Sequence, residues 1–115
     1  MINNIERAVN YYQSMLDKNF IEAESCLHPE VNLISPFSNL QGKNDVFEEA
    51  KKFATALTSL EIREKFSLDN KVVLIMNLGF LESESSLRAV SFLTFQDGLI
   101  YNIELFFDTS AFGPK

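Results

Sequence analysis

Hydrophobic and polar positions follow a helical period in the first half of the chain. Apolar residues recur every three or four positions in three segments, 5–16, 20–27 and 46–57. Each segment starts with an acceptor side chain three residues ahead of a glutamate, the spacing of a capping box: Asn3 and Glu6, Asn19 and Glu22, and Asp45 and Glu48. The pattern therefore predicts three helices.

From residue 60 the period changes to two, which is typical of strands. Strands are predicted at 31–34, 60–68, 71–81, 87–96 and 99–107, with a loop at 82–86. Asp69-Asn70 and Asp97-Gly98 are turn signals, and an Asp-Gly pair is a strong signal for a two-residue hairpin. Helices followed by hairpin-linked strands predict an α+β fold in which three N-terminal helices pack on a curved antiparallel sheet.

The predicted strands 71–81, 87–96 and 99–107 are apolar on both faces. The helices can cover one face, and the chain holds no further element for the other. A second copy of the chain is the simplest cover, so we expect a homodimer through the sheet face.

Length and charge narrow the range of functions. The 115 residues, 46% of them hydrophobic, match one domain spanning 1–115. The net charge is −6 and the basic residues are scattered, so we expect no nucleic-acid partner. Met1 to Glu6 lacks a basic segment followed by an apolar run, so no signal peptide is expected. The longest apolar run, Val72 to Met76, is too short for a membrane span.

The chain has one cysteine, Cys26, and one histidine, His28. A single cysteine excludes an internal disulfide and fits a reducing compartment, so a cytoplasmic location is expected. With a single histidine, a transition-metal site would depend almost entirely on carboxylates, so no metal is expected. The four glycines stand apart and form no phosphate-binding loop, and no cofactor is expected.

Five short motifs in order connect these elements to a known family: Tyr12 to Asn19 at the end of helix one, Ser35-Pro36 after the first strand, Gly42-Lys43 before helix three, Asp97 to Ile100 in the last hairpin, and Glu104 to Asp108. In this order the chain resembles the nuclear transport factor 2-like superfamily, in particular its SnoaL-like and ketosteroid-isomerase-like branches. The resemblance implies a cone-shaped (cystatin-like) fold, often with an apolar pocket. Many members bind or transform small hydrophobic molecules, and others are non-catalytic binding or dimerisation modules.

The resemblance also allows the isomerase chemistry to be checked. Ketosteroid isomerases are a well-known case in which catalysis needs a carboxylate base and an oxyanion hole made by a tyrosine and a protonated aspartate. Tyr12 matches the tyrosine. Ser35 stands where the base is expected, and the second acid falls on Val90 or Ser91, depending on the alignment of the turn. The usual isomerase acids are therefore absent.

A limonene-epoxide-hydrolase-like enzyme instead uses an arginine between two aspartates. A two-residue turn at Asp97-Gly98 would place Arg88 opposite Phe107 and Val90 opposite Leu105. Arg88 would then match the arginine, while Val90 and Leu105 would occupy the acid positions. Neither reaction is supported, and whether the protein catalyses another one stays open.

Glu64 interrupts an apolar register between Ile62 and Phe66. A buried glutamate without a partner would have a raised pKa and could carry a proton. Alternatively, a bulge or an edge strand turns Glu64 into water, and this second interpretation is favoured.

The sequence therefore predicts a domain that binds a small hydrophobic molecule in an apolar pocket. The alternative is a non-catalytic dimerisation or protein-binding module whose core is filled by its 11 phenylalanines. The residues predicted to line the pocket are Tyr12, Leu16, Ser35, Phe53, Arg88, Phe92, Ile103 and Phe107.

Overall fold

The computed structural model describes residues 3–80 and 86–109. Three helices precede or interrupt a sheet of six strands, and most of the sheet follows the last helix. The elements are α1 (Asn4–Leu16), α2 (Phe20–Ser25), β1 (Leu27–Ile34), β2 (Asn39–Gln41), α3 (Lys43–Ala56), β3 (Leu57–Leu68), β4 (Lys71–Phe80), β5 (Leu87–Gln96) and β6 (Leu99–Phe107). The predicted loop at 82–86 lies outside the described residues apart from Ser86.

Two of the three predicted helix caps are confirmed. The Asn3 side chain accepts a hydrogen bond from the Glu6 amide at 2.8 Å, and Asn19 accepts one from Glu22 at 3.3 Å. The third is wrong, because Gly42 is the N-cap of α3 and provides no side-chain acceptor. No helix in the described ranges combines the length and apolar character needed to cross a membrane.

The sheet has the strand order β2-β1-β6-β5-β4-β3. The predicted α+β class and curved sheet are confirmed. One pair differs from the antiparallel expectation, because β1 and β6 run parallel. The chain reaches β6 from β1 only after passing through α3 and four other strands, and this long connection permits the parallel pairing.

The helices cover one face of the sheet, which we call the inner face. Along β4 and β5 every second side chain, such as Leu74, Met76 and Leu93, is buried there in the core. The alternating side chains form the opposite face, which we call the outer face. Its apolar members include Ile34, Phe66, Leu68, Val73, Ile75, Val90, Phe92 and Phe106.

A β-bulge decides the orientation of Glu64. In the β3–β4 pair Ile62 lies opposite Met76, whereas Glu64 lies opposite Ile75, so Arg63 is an extra residue. Glu64 is therefore on the outer face and exposed. This confirms the predicted bulge on an edge strand and excludes a buried Glu64 as proton carrier.

A second bulge sits beside the last hairpin. Asp97 and Gly98 both have positive φ, at 56° and 81°, as the predicted two-residue turn requires. Beyond the turn Phe95 pairs with Ile100 but Thr94 pairs with Asn102, so Tyr101 is an extra residue.

This bulge shifts the register between β5 and β6 by one residue. Ala89 lies opposite Phe107, and Ser91 lies opposite Leu105. The predicted pairing of Arg88 with Phe107 and of Val90 with Leu105 is therefore wrong. A single inserted residue exchanges the two faces of the strand relative to its neighbour, because side chains alternate with a period of two.

Candidate functional site

A cavity of about 320 Å³ lies between α1, α3 and the inner face of the sheet. Its wall combines helix residues such as Val46 and Ala50 with strand residues such as Leu33, Ile103 and Leu105. Most of the lining is apolar. A site of this size and character suits a small, mainly apolar ligand.

Six aromatic side chains line this cavity and form three close ring pairs. Their ring centroids lie 5.1, 5.7 and 5.5 Å apart in the pairs Tyr11–Tyr12, Phe37–Phe107 and Phe53–Phe80. Edge or tilted arrangements of this kind are favourable between aromatic rings. Phe37–Phe107 joins the loop after β1 to the sheet, and Phe53–Phe80 joins α3 to it, whereas Tyr11–Tyr12 lies within α1. Together the pairs frame the cavity with large, stiff side chains.

Behind the cavity wall, the hydroxyl group of the lining residue Tyr12 forms a buried hydrogen bond with the hydroxyl group of Ser91, 2.7 Å away. Ser91 is fully buried on β5, and Tyr12 reaches it from the buried stripe of α1. Burial raises the pKa of Tyr12 to about 12, although the Ser91 hydrogen bond opposes this rise. Burial also raises the pKa of Tyr11, and the nearby Tyr12 adds to that rise. Both phenols therefore stay protonated at neutral pH and offer neutral hydrogen-bonding groups.

Ser35 also lines the cavity, but its hydroxyl oxygen is engaged locally. The Ser35 Oγ accepts hydrogen bonds from the amides of Phe37 at 3.3 Å and Ser38 at 3.1 Å. An oxygen that accepts two amide hydrogen bonds, with no base bonded to it among residues 3–80 and 86–109, is not an activated nucleophile. Ser35 instead shapes the turn that follows β1.

Two charged residues of α3, Glu49 and Lys52, lie at the cavity wall one helical turn apart. Among the lining residues in the described ranges, Glu49 is the one carboxylate. Because of the bulge at Tyr101, Ser91 and not Val90 occupies the position of the second acid of a ketosteroid isomerase. The wall therefore lacks the opposed carboxylates on which the isomerase and epoxide hydrolase mechanisms depend.

The structure brings together five of the eight residues predicted to line the pocket. Tyr12, Ser35, Phe53, Ile103 and Phe107 all contribute to the cavity wall.

The other three predicted residues lie outside this cavity wall. Leu16 packs against the core at the end of α1, outside the cavity wall. Arg88 and Phe92 lie on the outer face, because they alternate with the buried Ala89 and Ser91 along β5. Whether any of these residues contacts a ligand stays a prediction.

Sequence reasoning missed the other twelve lining residues in the described ranges, among them the polar or aromatic Tyr11, Phe37, Glu49 and Lys52. Tyr11 carried a signal, since it neighbours the helical stripe of α1. Within α3 the ion pair of Glu48 is with Lys51, at 3.1 Å, and not with Lys52. Lys52 is thus directed to the cavity edge.

No cluster of three or more histidine, cysteine or acidic residues suited to a metal ion occurs within 3–80 and 86–109. Cys26 is a free, half-buried thiol whose pKa is raised by burial and by the nearby Glu22. A raised pKa lowers the thiolate fraction, so Cys26 is a poor nucleophile at neutral pH.

No protein-family model and no curated protein sequence matches the chain. Solved structures do match it. A protein from Kribbella flavida has a TM-score of 0.88 at 18% identity, over 94% of this chain and 88% of its own. An NTF2-like protein of unknown function from Cytophaga hutchinsonii has a TM-score of 0.86 at 16% identity, over 99% and 97%. An LEH-like epoxide hydrolase from M. tuberculosis has a TM-score of 0.79 at 12% identity, over 94% and 84%.

Proposed function

We propose that this chain, which has the nuclear transport factor 2-like fold, binds a small, largely apolar molecule in the cavity between α1, α3 and the inner face. The observation that carries the proposal is the cavity of about 320 Å³ with its wall of aromatic and aliphatic side chains. A hollow of this size costs packing energy when empty, so a ligand that fills it gains both dispersion contacts and the burial of its own apolar surface.

The distribution of the phenylalanines favours this function over a filled core. Among the phenylalanines in the described ranges, Phe95 alone is buried. Phe37, Phe53, Phe80 and Phe107 stand around the cavity instead of filling it. The rings therefore form walls, and the remaining space accommodates a ligand.

The polar groups indicate a ligand with few hydrogen-bonding atoms. The hydroxyl groups of Tyr12 and Ser91 are hydrogen-bonded to each other. When Ser91 is the donor, the Tyr12 hydroxyl can still donate a hydrogen bond to a ligand oxygen. Glu49 and Lys52 lie on one helix at the wall and carry opposite charges. The site thus combines an apolar interior with neutral hydroxyl groups and a charge-balanced rim.

Replacing Ala50 by leucine is expected to weaken binding of the neutral fluorescent probe N-phenylnaphthylamine about tenfold or more. Ala50 lines the cavity from the middle of α3, so the larger side chain occupies ligand space. Each tenfold loss corresponds to about 1.4 kcal/mol, less than the gain from burying one large apolar group. Fluorescence titration measures the dissociation constants.

Thr55→Leu is the matched control for Ala50→Leu. Thr55 lies on the same helix and is exposed, outside the cavity wall. It should leave probe affinity unchanged within about twofold. Equal affinities for Ala50→Leu and Thr55→Leu would place the probe elsewhere and refute the cavity as its site.

A second proposal concerns the outer face: we infer that it binds a second copy of the chain. Phe66 and Phe106 are 55% and 52% exposed on this face. The six strands carry about 20 outward-facing positions, which at roughly 33 Å² each cover about 700 Å². A stable interface buries about 600–1,000 Å² on each partner, so the whole face is large enough.

The charge on the outer face supports the same partner. Two copies of a chain with net charge −6 repel one another unless the contact surface is nearly neutral. This face mixes both signs within its polar positions: Glu61, Glu64, Glu104, Lys71 and Arg88.

The variant Phe66→Glu/Phe106→Glu is expected to be monomeric where the unmodified protein is dimeric, because each interface would bury four additional charges. Sedimentation equilibrium measures the mass. Ile21→Glu is the control, since Ile21 is 84% exposed on α2, away from the sheet. A monomeric unmodified protein, or a dimeric double variant, would exclude this interface.

A further inference from the structure

We propose that the Tyr11 hydroxyl group selects the ligand of the cavity: it donates a hydrogen bond to a neutral oxygen at the buried end of the ligand, such as a carbonyl or ether oxygen. The chemical class that fits is an uncharged molecule that is apolar apart from this one acceptor. This inference deepens the proposed function and rests on the cavity being a ligand site.

Tyr11 is a buried side chain whose polar group has no partner in the described part of the chain. It lines the cavity from the buried side of α1, and 2% of its surface is exposed. Its ring packs edge-on against that of Tyr12. Within residues 3–80 and 86–109 the Tyr11 hydroxyl makes no hydrogen bond, whereas the Tyr12 hydroxyl makes one.

The Tyr11 hydroxyl oxygen meets open space. Over the same described ranges, every side-chain oxygen or nitrogen that is sealed inside the protein has a hydrogen-bond partner. The Tyr11 oxygen has no such partner, so it is not sealed. The open space that Tyr11 lines is the cavity, and the hydroxyl group is therefore available to a ligand there.

Tyr12 is less available, although the family resemblance points to it. Its hydroxyl lies 2.7 Å from that of the fully buried Ser91, and either group can be the donor. When Tyr12 is the donor, its proton is already used within the protein. The proton of Tyr11 stays available in both cases, so the available phenol of this chain is one residue earlier than the resemblance implies.

An unpartnered phenol favours a ligand that brings an acceptor. A ligand that fills the cavity removes this hydroxyl from water, and a buried donor left without an acceptor destabilises the complex. A neutral ligand oxygen restores the hydrogen bond. A carboxylate is less suitable, because it would lose its hydration in an apolar wall in return for one hydrogen bond, and the lining cation Lys52 is at an exposed position.

Two compounds of nearly the same shape isolate the role of the acceptor. Benzophenone carries a carbonyl group where diphenylmethane carries a methylene group, and each is titrated as a competitor that displaces N-phenylnaphthylamine. The ratio of their dissociation constants cancels any change in cavity volume, because such a change affects both compounds. In Tyr11→Phe the preference for benzophenone is expected to fall about three- to tenfold, the range for one hydrogen bond.

Tyr101→Phe is the matched control, because Tyr101 is half-buried on β6 and outside the cavity wall. It should leave the preference unchanged within about twofold, as should Tyr12→Phe. The infrared carbonyl stretch of bound benzophenone should move to higher frequency in Tyr11→Phe alone, which a purely structural role would not cause. An unchanged preference in Tyr11→Phe, or a fall confined to Tyr12→Phe, would overturn the inference.

Urea denaturation without ligand tests the unpartnered hydroxyl itself. Tyr11→Phe should have about the same midpoint as the unmodified protein, because its hydroxyl stabilises nothing within the described chain. Tyr12→Phe gives up the hydrogen bond with Ser91 and should have a lower midpoint. An equal fall in both variants would show that the Tyr11 hydroxyl is bonded within the protein, and would count against its role as the ligand donor.

The competition experiment distinguishes failure of this inference from failure of the proposed function. If neither N-phenylnaphthylamine nor the two competitors bind, the cavity is not a site for this class of ligand, and both proposals fail. If the probe binds and the preference for benzophenone is the same in Tyr11→Phe as in the unmodified protein, the cavity stays a ligand site and the role of Tyr11 alone is refuted.

Discussion

Raising the pH through the range from 10 to 12 is expected to remove about 3 kcal/mol of stability through Tyr12 alone. In the unfolded chain a tyrosine ionises near its model value of 10.0, whereas burial raises the folded pKa of Tyr12 to about 12. The unfolded state therefore loses its proton first. The stabilising contribution is complete below pH 10 and disappears as the pH rises through 12.

Tyr11 acts in the same direction, because burial and its neighbour Tyr12 raise its pKa as well. Urea denaturation at successive pH values measures the loss, and the near-ultraviolet absorbance of tyrosinate shows when each phenol ionises. The Tyr12→Phe variant should lose stability less steeply above pH 10, with Tyr101→Phe as control. Identical slopes in Tyr12→Phe and the unmodified protein would show that Tyr12 does not cause the loss.

The variant Lys18→Met is expected to lower the free energy of unfolding by about 2 kcal/mol. The Lys18 ammonium group donates hydrogen bonds to the Ala54 carbonyl and, at 2.7 Å, to the Leu57 carbonyl. These carbonyls belong to the C-terminal end of α3 and the start of β3, where no basic residue of the helix itself is present. A positive charge there also interacts favourably with the helix dipole. The estimate lies near the lower end for charged hydrogen bonds because the stem of Lys18 is exposed.

Lys65→Met is the control for Lys18→Met, because it removes the same charge from an exposed position on β3. Neither lysine nor methionine is branched at Cβ. The positive φ of 62° at position 18 therefore costs the unmodified protein and Lys18→Met the same conformational free energy. Chemical denaturation gives both free energies. If Lys65→Met costs as much as Lys18→Met, net charge rather than the contacts at the end of α3 explains the effect.

Local signals made much of this fold predictable. Asn3 and Asn19 are caps whose acceptors bond within three residues, so sequence spacing alone identifies them. Asp97-Gly98 likewise sets its own backbone conformation. By contrast, β2 was not predicted, because three residues cannot show a period. β1 begins at Leu27 rather than at residue 31, since parallel pairing with β6 extends it through Pro29.

The cavity was less predictable, because its lining depends on strand register. Because of the bulge at Tyr101, Ser91 lies on the inner face and Arg88 on the outer face. Nothing in the sequence around Tyr101 indicates the extra residue. Phe37 was missed for a different reason: a loop residue has no periodic position, and its place at the cavity follows from how the turn after β1 folds back.

The bulge at Arg63 has a consequence for solubility. β3 forms the border of the sheet, and a straight border strand of 12 residues would offer unpaired backbone groups to any other extended chain. The extra residue twists this edge strand, and the consecutive charged side chains of Arg63, Glu64 and Lys65 keep the strand hydrated. A protein that exposes Phe66 and Leu68 nearby is thereby protected from indefinite strand-by-strand growth into fibrils.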